Sequence, residues 1–212
     1  MTTIEFFHDA VCGWCYLLSP RLRQLSEKYN VKVIHRAFVL QKSEDEMIVR
    51  FGSMAQAKQE ILNHWRHCQL NAEDPNRIDI EGMRNANFNY PSGLNAALAA
   101  KTAEIFGGHI GHWDYFDAVQ TAHLKHNLNI SDTSVLLNIA ERLGYFREQF
   151  IDVMMHQDTL SLVNSDNKRA KTLGIKTIPS ILIDNESLVS QTLTLTQLEA
   201  LFKKLNIEKV SN

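Results

Sequence analysis

The sequence predicts an α/β fold in which a β-α-β unit at the start of the chain and a β-β-α unit at its end form one domain, separated by a large all-helical insertion. Three observations lead there. Short apolar runs rich in β-branched and aromatic residues sit near the two ends, helical periodicity fills the stretch between them, and Cys12-Gly13-Trp14-Cys15 falls where the first strand turns into the first helix. The expected boundaries are residues 1–41 with 175–212 for the mixed domain and 42–174 for the helical insertion.

Residues 3–8, Thr-Ile-Glu-Phe-Phe-His, read as a short buried strand. Leu18, Leu22, Leu25 and Tyr29 then recur at helical spacing, and Val31-Lys32-Val33-Ile34-His35 follows as a second strand. Strand, helix and strand in so short a span imply a parallel pair joined by a crossover. Residues 53–70, 92–106 and 113–126 carry helical patterns, the second stopped by Gly107-Gly108. Ser131-Asp132 caps a helix through Val135, Leu136, Ile139 and Leu143 that Gly144 closes, and 145–157 and 159–173 give two more. Ile178-Pro179-Ser180-Ile181-Leu182-Ile183 returns to strand, Asp184-Asn185 turns, and Ser187-Leu188-Val189 completes a hairpin. Thr194 or Thr196 starts a last helix through Leu198, Leu201, Phe202 and Leu205.

Of the 212 residues 44% are hydrophobic and 22% charged, which suits a folded core rather than a disordered chain. A net charge of -2 without any block of Lys or Arg gives no reason to expect nucleic acid or membrane as a partner. Met1 to Asp9 lacks the basic start and apolar stretch of a signal peptide, and no apolar run approaches a membrane span, so the expected location is cytoplasmic. Three cysteines, two of them close together, do not make a disulfide framework; the pair points to chemistry.

Disulfide exchange needs one thiolate to attack and a second thiol to resolve the mixed disulfide. Cys12 at a helix start meets unpaired N–H groups and the positive end of the helix dipole, which favour its thiolate, so it is the expected attacking sulfur. Cys15, one turn inward, is the expected resolving thiol. Gly13 and Trp14 between them supply no basic residue to stabilise the thiolate further, which suggests a moderate couple. Cys-x-x-Cys is also half a zinc site, but no second half of matching spacing completes it.

The run Phe6-Phe7-His8-Asp9-Ala10-Val11-Cys12-Gly13-Trp14-Cys15-Tyr16 resembles the active-site turn of the DsbA-like branch of the thioredoxin superfamily, especially its FrnE-like members, in which Asp9, Trp14 and Tyr16 have counterparts. Pro20 resembles the proline that kinks the active-site helix, and Gly174-Ile175-Lys176-Thr177-Ile178-Pro179-Ser180 is similar to the family's proline loop. Tyr90-Pro91-Ser92, Trp113 to Asp117 and Asn129 to Asp132 are similar to phrases of the same branch's helical insertion, so the likeness covers nearly the whole chain. It implies a thioredoxin-like fold, catalytic Cys12 and Cys15, a cis Pro179 beside them, a substrate groove with Trp14, Ile178 and Pro179, and supporting roles for Gly13 and Asp9. The backbone of Ile178 would pair with an extended substrate. FrnE-like proteins with a further cysteine pair are not matched in that respect, because Cys68 has no partner nearby in sequence.

His64, His67 and Cys68 share a predicted helix face, and His109/His112 and His123/His126 form two more pairs; without a completing carboxylate they read as solvated or core-edge residues, Cys68 as a small buried hydrophobe, and no metal is assigned. Glu5 reads as a partly exposed charge at the sheet edge, with a role in moving the Cys15 proton as the alternative. Trp14 is expected on the exposed substrate surface. The expected activity is dithiol–disulfide exchange, mainly reductive, on protein or small-molecule thiols. No cofactor is expected beyond the Cys12–Cys15 pair, with an external thiol or a thioredoxin-type donor supplying electrons. Two alternatives stand beside it: a redox-sensitive binding or adaptor protein, and a glutathione-dependent isomerase or transferase of the kappa-like branch, whose usual Ser at the first motif position is here Cys12.

Overall fold

Thr2–His8 (β1) occupies the middle of a four-stranded sheet because the two ends of the chain meet on it. Val31–Ala37 (β2) pairs with it in parallel and Ser180–Ile183 (β3) antiparallel, and Ser187–Val189 (β4) completes the order β2-β1-β3-β4. The computed structural model describes residues 1–210. Ile4 to His8 are all buried, the pattern of a strand covered on both faces. The hairpin turns at Asp184 and Asn185, both at positive φ, as such tight turns require.

Gly13–Ser26 (α1) links β1 to β2 and contains Pro20. Glu44–Phe51 (α2) and Met54–Leu70 (α3) start from Ser43 and Ser53, whose side chains accept the backbone N–H groups of Glu46 and Gln56. The sequence predicts neither α2 nor Ile80–Asn85 (α4), capped by Asp79, because α2 buries only Met47 and α4 spans just six residues. Leu94–Leu124 (α5) is helical throughout apart from a break at Gly108, where φ is 63° and ψ -156°. Residues 109–112, where the sequence predicts a break after Gly107-Gly108, are therefore helical and carry His112. Thr133–Arg142 (α6), Arg147–Met154 (α7), Gln157–Thr172 (α8) and Leu195–Lys204 (α9) complete the fold, the last on a capping box of Thr194 and Gln197.

One apolar core joins the sheet, α1 and the helices between them: Ile4, Phe6, Leu18 and Leu22 pack with Trp65, Tyr115, Phe116 and Phe202. Fully burying each large apolar side chain contributes roughly 1.5–3 kcal/mol. Glu5 corrects the sequence reading. It lies on the central strand, not an edge, and is buried, with Arg36 at 2.6 Å and Arg169 at 2.7 Å on its carboxylate. Burial opposes its charge, but the two guanidiniums prevail and hold its carboxyl below the usual value.

Candidate active site

Cys12 is the N-cap of α1, in extended conformation, and its sulfur accepts the N–H of Cys15 at 3.4 Å. Its Sγ also lies 3.9 Å from the carbonyl oxygen of Ile178. The Ile178–Pro179 peptide is cis, in line with the family resemblance, and Ser180 Oγ steadies this loop by donating to Thr177 O at 2.7 Å. The strand starts only at Ser180, because Pro179 has no N–H to give the ladder.

The two thiols differ in access. Cys12 is 9% exposed, whereas Cys15 is wholly buried. Burial pushes the Cys15 thiol well above its ordinary value, and the hydrogen bond and charge of Cys12 add to the shift. Asp9 is buried as well, and burial raises its carboxyl to about 6 although the N–H groups of Leu40 and Val11 donate to it.

The helical insertion holds this turn from behind. Gln120 of α5 donates to the carbonyl oxygens of Cys12 at 3.1 Å and Asp9 at 3.4 Å. Tyr90 donates its hydroxyl hydrogen to Val11 O at 3.1 Å, and His123 Nε2 stands 3.0 Å from the same hydroxyl. Gly93 lies so close to Asp9 that a Cβ there would fall 1.9 Å from Asp9 Oδ1. None of these roles is visible in sequence: Gln120 and Gly93 carry no motif, and His123 reads as half of a helical pair. His123 is instead fully buried, and burial lowers its pKa to about 4.

A groove of about 300 Å³ opens beside Cys12, with Trp14, Phe51, Trp65 and Ile178 among its walls and Arg50, His64 and Lys176 among its polar members. Trp14 is half-buried rather than freely exposed, because it packs against the main core while lining the groove. Cys68 also lines it, and a Cβ on Gly13 would come 2.9 Å from Cys68 Sγ. Cys68, without a partner nearby in sequence, thus lies against the motif in space. His64 and His67 are exposed, in keeping with the solvated reading, but His112 is buried, which corrects it.

The family model of the DSBA-like thioredoxin domain matches residues 3–203. A curated relative, the ClpXP adapter protein SpxH of Bacillus subtilis strain 168, is 28% identical over 190 residues, which are 86% of this chain and 58% of that protein. The chain therefore spans less than two thirds of that relative's length. Among solved structures, the cytosolic disulfide reductase DsbM from Pseudomonas aeruginosa superposes with a TM-score of 0.75 at 17% identity, over 96% of this chain and 98% of that one. A 2-hydroxychromene-2-carboxylate isomerase superposes with a TM-score of 0.67 at 15% identity, over 96% of both chains. Likenesses at these identities establish the fold. Among the described residues no helix is long and apolar enough to cross a membrane.

Proposed function

Because the chain belongs to the DSBA-like thioredoxin domain family, we propose that it is a thiol–disulfide oxidoreductase working through Cys12 and Cys15. The observation that carries the reading is Cys12 Sγ at the N-cap of α1, beside the Ile178 carbonyl and an open groove, with Cys15 one turn behind it. The Cys12 thiolate attacks a substrate disulfide, forming a mixed disulfide and releasing one substrate thiolate. Cys15 then loses its proton and attacks Cys12 Sγ, so the Cys12–Cys15 bond forms, the second substrate thiol leaves, and two electrons have passed to the substrate. An external thiol or thioredoxin-type donor returns them. Trp14, Ile178 and Pro179 shape the groove for a protein or small-molecule substrate, and Arg50 and Lys176 favour one bearing carboxylates.

The protein acts in the cytoplasm, where a glutathione poise of about -220 to -320 mV keeps a couple of less negative midpoint reduced and so directs it toward reduction. Residues 1–41 and 175–212 carry the redox domain, and 42–174 support it. Insulin reduction with a dithiol donor tests the activity. Turnover should fall to background in Cys12→Ser, and Cys15→Ser should accumulate a mixed disulfide. Activity unchanged in Cys12→Ser would overturn the proposal.

The similarity to an adapter protein favours a second reading, in which this scaffold holds a partner protein and the thiols only modulate the contact. Partner capture that survives both Cys12→Ser and Cys15→Ser supports it. The glutathione-dependent isomerase or transferase reading has the fold likeness alone, and absence of non-covalent glutathione binding would remove it.

A further inference from the structure

Three histidines that thiol exchange does not use converge from three elements: His8 at the end of β1, His35 in β2, and His112 in the helical turn after Gly108 of α5. They are 3%, 0% and 0% exposed, and one ring nitrogen from each lies within 4.8 Å of the others. His8 Nε2 and His35 Nδ1 are 3.0 Å apart, and the rings of His35 and His112 stack at 4.6 Å. Buried polar atoms are normally hydrogen-bonded. Here Nε2 of both His35 and His112 has no partner among the described residues. The other nitrogen of His112 is fixed 2.8 Å from Glu104 Oε2, the carboxylate–histidine pairing that orients imidazole ligands at metal sites. A cavity of about 10 Å³ borders His8 and His112, close to the room one water needs.

We propose that His8, His35 and His112 bind one divalent first-row transition-metal ion, of the Zn2+ or Co2+ kind, with the adjoining cavity giving a water the fourth position. Imidazole nitrogen suits such ions. Tetrahedral coordination at about 2.0–2.1 Å sets donor nitrogens about 3.3 Å apart, so ligation would draw the nitrogens inward from their present separations of up to 4.8 Å and exchange the His8–His35 hydrogen bond for the ion. Burial holds all three rings below the usual histidine range and so in the neutral form that ligates. The charges around the cluster are paired among themselves. Lys101 is held by Glu104 and Asp166 at 2.8 Å each, Arg36 bridges Asp166 and Glu5, and Arg169 also binds Glu5. His109, 3.7 Å from Glu104, and the buried Asp9, which lines the adjoining cavity beside His8, are the further titratable neighbours. A bound ion would tie the helical insertion to the sheet.

The test is equilibrium dialysis of the full chain against Co2+, read by metal content and visible absorption, in the wild type and in a Cys12→Ser/Cys15→Ser variant that removes the competing thiols. One Co2+ per chain in both, without a thiolate-to-cobalt charge-transfer band, is expected. His112→Gln should weaken binding at least tenfold and Glu104→Gln by about 10–100-fold, while His109→Gln leaves it unchanged. No stoichiometric uptake, binding that disappears with the two thiols, or full affinity in His112→Gln overturns the site. Should His112→Gln not fold, the partly exposed Glu104 decides: undiminished affinity in Glu104→Gln counts against the proposal.

Discussion

At the scale of single residues, the two cysteines divide accessibility between them. Cys12 borders the groove, while Cys15 is enclosed and burial holds its thiol well above the ordinary value, which suits it to the second, resolving step of the proposed exchange. Two glycines hold this arrangement by having no side chain. A methyl on Gly13 meets Cys68 Sγ at 2.9 Å, and one on Gly93 meets a carboxylate already fixed by two backbone N–H groups. Gly93→Ala is therefore expected to destabilise the chain by roughly 2–3 kcal/mol in urea denaturation. Gly13→Ala should couple with Cys68→Ala by about 1 kcal/mol or more in a double-mutant cycle, since removing the sulfur makes the space the methyl needs. Simple additivity would show that the two do not press on each other. Cys12-Gly13-Trp14-Cys15 was legible because its spacing is local, whereas the need for Gly93 arises from a contact 84 positions away with Asp9.

At the scale of elements, α5 is the support of the site. Gln120 satisfies the carbonyls of Cys12 and Asp9, and His123 backs Tyr90, which in turn holds Val11. Gln120→Leu removes the donor from two buried carbonyls, at a cost of about 1–3 kcal/mol, and should lower insulin turnover in the folded fraction. His123 adds a pH dependence of defined sign. Its folded pKa is about 4 against an ordinary 6.5, so above 6.5 both states are neutral and nothing changes. As pH falls from 6.5 toward 4 the unfolded chain takes a proton the folded one refuses, and stability drops by on the order of 3 kcal/mol. Denaturation at pH 7 and pH 4.5 should show a smaller drop in His123→Gln than in the wild type. Apolar periodicity predicts the helix at 53–70, and a cap with an apolar face predicts the one after Ser131-Asp132, but α2 buries a single residue, Met47, and α4 spans only six residues, so neither shows an apolar face in sequence. The three-histidine cluster was invisible for another reason: two members lie on strands that read as simple β patterns, and the third follows a glycine that looked like a stop.

At the scale of the molecule, the fold closes only because strands from both ends of the chain share one sheet, which sets Ile178 and Pro179 opposite Cys12. Alternating strand and helix at the two ends, with helices alone between them, made that topology readable. The sheet order and the burial of Glu5 were not readable, since both depend on β3 returning to the far side of β1. The proposed function requires Cys12 and Cys15 to form a single two-electron couple. Equilibrating the protein in glutathione buffers of graded poise and counting alkylated thiols by mass tests it most directly. One transition is expected that consumes Cys12 and Cys15 together, leaves Cys68 free, and has its midpoint within about -200 to -270 mV, the span from glutaredoxins to thioredoxin. Absence of a transition, or a bond that engages Cys68 instead of Cys15, would contradict it.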